Sequence, residues 1–231
     1  MRIVSLVGIF QRLISAMGRE YRVAPDLPAS YVMNVMAGRA TELARGIVRT
    51  RHRVFLGRGV PLRGRAGIYW GEFASVGDMA KLDGYARDGV HLGAGSTLGR
   101  GCVVTCTSHA SRYGTGFRLG VRSGLGDYCH IGASGGVVIG DDVIAGPLVS
   151  FHSQEHVFSD PKKTIREQGT TELGIQIADN CWLGARVTTL DGTRIGSGPV
   201  VAAGAVVKGD FPERSLIGGV PARVLRRLAQ E

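Results

Sequence analysis

Between Gly146 and Pro161 the chain reads GPLVSFHSQEHVFSDP, which gathers two imidazoles, His152 and His156, and two carboxylates, Glu155 and Asp160, into one short window. Imidazole, with an ordinary pKa of about 6.5, is the side chain best suited to taking up and returning a proton at neutral pH. A nearby carboxylate can orient the ring, and neutral imidazoles also ligate zinc. The window therefore admits a general base, a metal ligand or a solvated loop histidine. Only the elements around it can decide.

Those elements are announced by a repeat. An aliphatic residue followed by Gly recurs at six-residue intervals as Leu92-Gly93 and Leu98-Gly99, then as Leu119-Gly120, Leu125-Gly126 and Ile131-Gly132. After a two-residue slip come Ile139-Gly140 and Ala145-Gly146, and later Ile177-Ala178, Leu183-Gly184, Ile195-Gly196 and Val201-Ala202. Weaker copies extend back through Val76-Gly77 to Leu56-Gly57. Four positions after these aliphatics stand small or branched residues, among them Ser96, Cys102, Ser123, Cys129, Val143, Cys181 and Ala205. Each hexad reads as a short strand and a tight turn, and three hexads close one triangular coil that stacks on the next. Both the aliphatic and the small position then face inward. This gives three of the four cysteines a packing role and leaves Cys106 outside the rule.

The repeat breaks once where chemistry is in question. Regular hexads reach Ser150 and resume at Ile177, so residues 151–176 are expected to leave the solenoid as a loop, and loops of that length in a compact repeat are usually functional or disordered. The expected organisation is an N-terminal helical segment over 1–54, a solenoid over 55–213 and a basic tail over 214–231. Two amphipathic stripes suggest the helices. The first is Ile3, Val7, Phe10, Ile14 and Met17; the second, Val32, Met36, Leu43 and Ile47, follows Ser30 as an expected cap. They are expected to pack on the solenoid's end or on a neighbouring subunit. With Arg2, Arg12, Arg19 and Arg22 around it, the first could instead lie on an anionic membrane surface.

Composition narrows the partners. The net charge of +9 points to an anionic ligand or surface, yet aromatic residues, at 6%, are not interleaved with the basic ones as a nucleic-acid stacking platform would require. No nucleic-acid partner is expected. The apolar run Ile3–Phe10 is too short to span a bilayer, which takes about 20 residues, and four cysteines without a CxxC pair suit reduced thiols. A cytoplasmic protein is expected, with peripheral membrane contact as an option.

Taken together, the hexads, GPLVSFHSQEHVFSDP, IREQGTTELGIQIADNCWLGARVTTLDGTRIG (165–196) and AAGAVVKGDFPERSLIGGVPARVLRR (202–227) resemble the hexapeptide-repeat acyltransferases, in particular the sugar and polysaccharide O-acetyltransferase branch that includes the maltose and galactoside enzymes. The resemblance covers about residues 55–228. It implies a mainly β fold, a left-handed parallel β-helix, preceded here by the helical segment. It also implies a homotrimer, acetyl-CoA as acyl donor, a sugar or glycan acceptor, no metal, and direct transfer without an acyl-enzyme. By motif, His156 corresponds to the family's catalytic base. Trp182, Gly184 and Ala185 correspond to the thioester corner, Ala203 and Gly204 to the pantetheine corner, and Arg223 and Arg226 to phosphate-binding positions. Lys208 corresponds to a phosphate contact, displaced by one position because Gly209 precedes Asp210 here. His152 and Glu155 are candidate acceptor contacts, and Glu155 or Asp160 a candidate partner for the imidazole. The Asn and Asp expected of a maltose or galactoside enzyme are absent from YCHIGAS (128–134), which looks more like enzymes acting on capsular, exopolysaccharide or lipopolysaccharide precursors. Three alternatives stay open: N-acetylation of an amino sugar, a zinc hydratase using His130, His152 and His156, and a non-catalytic binding module.

Overall fold

The computed structural model describes residues 6–16, 22–24 and 26–229. From Phe55 onward the chain winds as a left-handed parallel β-helix of triangular section. Each turn lays one short strand on each of three faces, and strands on a face pair in parallel with those above and below. Coil four is typical, with Gly124–Leu125 on the first face, His130–Gly132 on the second and Val137–Ile139 on the third.

The pairing is in register from coil to coil, so equivalent residues stack. On the first face Leu98, Leu125, Ala145, Leu183 and Val201 form one inward column. On the second, Ile131, Phe151, Thr189 and Val207 do so, and on the third Leu119, Ile139, Ile177, Ile195 and Phe211. All are buried. The core is a stack of similar layers, each stabilised by the removal of its apolar side chains from water.

The small inward position is equally regular. Ser96, Cys102, Ser123, Cys129, Val143, Cys181 and Ala205 are all buried, and several of their polar groups reach the same kind of partner. Ser123 Oγ donates to the Gly140 carbonyl at 2.6 Å, Cys102 Sγ to Gly126 at 3.1 Å and Cys181 Sγ to Gly196 at 3.3 Å. A short donor satisfies the corner carbonyl of the next coil, which explains Ser and Cys in an apolar column. Cys106 is buried as well, and burial pushes its thiol up to about 12. All four cysteines are free.

Corners are tight because the coils touch there. A Cβ on Gly146 would lie 2.7 Å from the Ala185 nitrogen, and one on Gly184 would lie 2.6 Å from the Ala203 nitrogen, so neither site tolerates a side chain.

Both ends of the prism are covered. Helix α1 spans Leu6–Ala16 and packs on α2, Ala29–Thr50. The N-cap of α2 is Pro28, not Ser30, which lies inside the first turn; the Pro28 carbonyl accepts from Val32 N at 3.2 Å, and proline's fixed φ starts the helix without a side-chain cap. Ile3, Met17, Arg2 and Arg19 lie outside the described residues, and Ile47 is exposed rather than on the packed face. Helix α2 closes the first coil: Arg39 Nη1 donates to Ser75 Oγ at 3.0 Å with its guanidinium 4.4 Å over the Phe55 ring, and Arg45 donates to the Leu56 carbonyl. At the far end, the basic segment after 213 contains an antiparallel hairpin, Ser215–Gly219 with Ala222–Arg227, whose first strand extends the first face.

Phe151 is among the largest fully buried side chains of the stack. Replacing it by Ala should lower stability by about 3–5 kcal/mol, read as a shift of the denaturant midpoint. A loss below about 1 kcal/mol would mean the layers are not close-packed.

Candidate active site

The edge between the second and third faces is where the chain departs from the prism. Three segments leave it there, residues 84–89, 106–116 and 153–174, and the last carries His156. The departure is shorter than the hexad count suggests. His152 lies on the face strand Ser150–His152 and the chain rejoins at Ile175–Ile177, because Phe151 and Ile175 still fill inward positions.

Both roots of the long loop are fixed from inside. Ser153 is buried; its hydroxyl donates to the Gly132 carbonyl at 2.9 Å and accepts from Gly135 N at 3.0 Å. At the other root the buried Asp191 carboxylate accepts from Leu173 N at 2.8 and 3.0 Å and from Gly174 N at 2.9 Å. Between these roots Glu155–His156 pairs antiparallel with Thr170–Thr171, and Val157 N donates to the Gly169 carbonyl at 3.0 Å. The tip is closed by a single helical turn, α3, Ile165–Gln168, whose Gln168 amide donates to and accepts from the Asp160 backbone.

His156 opens onto a pocket of about 270 Å³, lined also by Glu155, Phe158, Leu173, Asp191 and Lys208. Neither candidate carboxylate orients its ring. Glu155 pairs with Lys208 across the pocket, and Asp160 turns inward on its own loop to accept from Lys162 N at 2.9 Å. No described residue hydrogen-bonds the His156 imidazole, which leaves both ring nitrogens available. Lys208 thus faces His156 across the pocket, already engaged with a carboxylate.

His152 and His130 stand on neighbouring strands of the second face, ring centroids 5.7 Å apart and tilted by 28°. Partial burial, and then the charge of His152, hold the His130 imidazole below its ordinary value. Among the described residues, no three His, Cys, Asp or Glu side chains are grouped to share a metal ion.

The remaining candidates occupy a different edge. Trp182 lies half exposed on the first face, between Ile144 and Val200. Gly184 and Ala185 follow at the corner between first and second faces, and Ala203 and Gly204 repeat that corner one coil on. The Ala185 N–H has no hydrogen-bond partner among the described residues, whereas its carbonyl accepts from Gly204 N at 2.9 Å. Arg223 and Arg226 lie on the terminal hairpin beside this edge, both exposed. None of these residues lines the His156 pocket. One chain therefore carries an imidazole on one edge and an unbonded N–H with basic groups on another.

Sequence reasoning missed the 106–116 loop, although the frame jumps from Leu98-Gly99 to Leu119-Gly120 and Gly114 and Gly116 fall inside the gap. It also missed Gln154 and Asp191, which lie inside the quoted segments but were given no role there. Among the described residues no helix is long and apolar enough to cross a membrane.

Comparison with known proteins agrees with this architecture. The family model described as the hexapeptide repeat of succinyl-transferase matches residues 174–208. A galactoside O-acetyltransferase of Lactococcus lactis is 29% identical over 140 residues, which is 58% of this chain and 63% of that one. A protein of Escherichia coli provisionally named a lipopolysaccharide biosynthesis O-acetyl transferase is 36% identical over 114 residues, 46% of this chain and 58% of its own. A provisionally named acetyltransferase of Mycobacterium tuberculosis is 29% identical over 185 residues, 80% of this chain and 53% of its own. The chain thus spans only between 53% and 63% of the length of these relatives. Among solved structures, an N-acyltransferase from Bacillus cereus crystallised with dTDP and coenzyme A superimposes with a TM-score of 0.50 at 15% identity, over 77% of this chain and 84% of that one, a likeness of fold. By its coils the chain is a left-handed parallel β-helix, its residues 174–208 match the hexapeptide repeat, and it is similar to the sugar O-acetyltransferases.

Proposed function

We propose that the protein is an acetyl-CoA-dependent O-acetyltransferase that acetylates a hydroxyl of a sugar or glycan precursor, with His156 as general base. One observation carries the reading: an imidazole free of hydrogen bonds, on a loop whose two roots are anchored in the core, opens onto a pocket large enough for part of a sugar. A sugar hydroxyl is a poor nucleophile at neutral pH, and imidazole removes its proton as the oxygen attacks the thioester carbonyl. The new C–O bond forms, the C–S bond breaks, and the imidazolium returns its proton to the leaving sulfur. Charge building on the carbonyl oxygen needs a preorganised donor. The unpartnered Ala185 N–H is the group we assign to it. Trp182 and Gly184 are assigned to the thioester position beside Ala185, Ala203 and Gly204 to the corner one coil on that takes the pantetheine arm, and the guanidinium groups of Arg223 and Arg226 suit the CoA phosphates. Lys208, engaged with Glu155, is assigned to the pocket wall.

The separation of these groups in one chain supports a homotrimer in which neighbouring copies bring the two edges together. Peripheral contact with anionic membrane is a further part of the proposal, resting on the exposed Ile9, Tyr31, Met33 and Val48 and on Arg12, Arg22, Arg49 and Arg51 in the same helical segment. Failure to co-sediment with phosphatidylserine vesicles at low salt would remove it.

Replacing His156 by Ala should lower kcat roughly 10²–10⁴-fold with little change in acetyl-CoA affinity. The rate of the unsubstituted enzyme should rise with pH through one imidazole ionisation, since only the neutral ring accepts a proton, and that limb should vanish in the variant. A variant that keeps both turnover and limb would assign the proton to another group. Replacing Arg223 and Arg226 together by Ala should raise KM for acetyl-CoA and leave the acceptor KM nearly unchanged; an unchanged KM for acetyl-CoA would misplace the phosphate site. Following CoA release over a panel of hydroxyl and amine acceptors tests the acceptor class. Turnover of amines alone would overturn O-transfer.

A further inference from the structure

The hairpin that carries His156 is two residue pairs long. An isolated two-stranded hairpin has marginal stability, so something beyond its anchored roots must hold the imidazole in place. A cluster of polar side chains beside it does so, and it draws on the 106–116 loop that leaves the same edge two coils earlier. Gln154, two residues before His156, uses both its amide nitrogen and its amide oxygen there. Its Nε2 donates to Glu172 Oε1 at 2.8 Å and to Thr170 Oγ1 at 3.3 Å, and its Oε1 accepts from Ser108 Oγ at 3.1 Å. Ser108 in turn accepts from Ser134 Oγ at 3.2 Å, which ties the cluster to coil four. The other oxygen of Glu172 meets Arg112 Nη1 at 3.3 Å.

Two features make this a positioning device rather than a surface accident. Thr170 lies directly opposite His156 in the hairpin register, so the Gln154 amide is bonded to the residue that His156 pairs with. The Glu172 side chain is only 20% exposed, so its bond to Gln154 is poorly replaced by water. Arg112, more than half exposed, adds a pair that solvent screens. The Gln154–Glu172 bond is therefore the principal tie.

We propose that Gln154 and Glu172, with Ser108 and Arg112 of the 106–116 loop, clamp the hairpin and set the position of the His156 imidazole, which makes Gln154 a positioning residue for acyl transfer. The inference rests on His156 acting as the base. Misplacing a reacting group by about 1 Å costs up to roughly 10²-fold in rate, which sets the scale of the effect.

The test is a charge exchange within the clamp. Gln154→Glu conserves size but sets a carboxylate against that of Glu172, so kcat should fall roughly 10- to 100-fold while KM for acetyl-CoA holds within about twofold. The double variant Gln154→Glu/Glu172→Gln restores one amide and one carboxylate and should recover most of the loss. Independently of turnover, the imidazole carbon-bound proton resonance of His156, identified by its absence in His156→Ala, should shift or broaden in the single variant and return in the double one. In a His156→Ala background Gln154→Glu should do nothing further. An unchanged kcat and resonance in Gln154→Glu, or the same loss with and without His156, would overturn the clamp. Full activity in His156→Ala alone would instead overturn the base assignment beneath it.

Discussion

The structure depends on the contact distance between successive coils. Where Gly146 faces Ala185 and Gly184 faces Ala203, there is no room for a Cβ, so the corners stack backbone on backbone. That approach keeps the strands in register, and the register keeps each aliphatic over the aliphatic below it. The short side chains of Ser123, Cys102 and Cys181 belong to the same constraint, since each must satisfy a corner carbonyl without widening the coil. A solenoid built this way is stiff along its axis. It can therefore tolerate insertions at an edge without losing its layers.

The candidate site uses that tolerance. Ser153 and Asp191 belong to the core by burial and to the loop by their hydrogen bonds, so 153–174 is displaced from the prism but anchored to it. The same rigidity separates the groups that the proposed reaction needs. His156 rises from the edge between second and third faces, while Ala185 sits at the edge between first and second. No flexing of a closed prism would unite them. The proposed trimer would do so by placing a second copy edge to edge.

The hexad period made the interior legible in the sequence, down to the small positions at Ser96, Cys129 and Ala205, because each hexad maps onto one face and three of them onto a layer. The break in that period marked out the loop that holds His156, and the resemblance to the family motif singled His156 out from His152. What surrounds it was not legible. Glu155 meets Lys208 from a coil two turns away, and Gln154 meets Ser108 from another loop, contacts fixed by stacking order rather than by spacing along the chain. For the same reason Glu155 and Asp160, near His156 in sequence, proved to face other partners. The cap of α2 was misplaced at Ser30 because proline at 28 starts a helix by its fixed φ and leaves no side-chain signal.

The central claim is that one active site is assembled from His156 of one chain and the Ala185 edge of another. Mixing two variants tests it directly, once each is shown by circular dichroism and oligomer size to keep the fold: His156→Ala, which lacks the base, and Ala185→Pro, which lacks the N–H. After dissociation and reassembly in equal amounts, sites that combine an intact His156 with an intact Ala185 edge should form at about one quarter of the interfaces, and activity should rise to that fraction of the unsubstituted enzyme. Activity that stays at the mean of the two separate variants, although mixed oligomers have formed, would contradict a shared site.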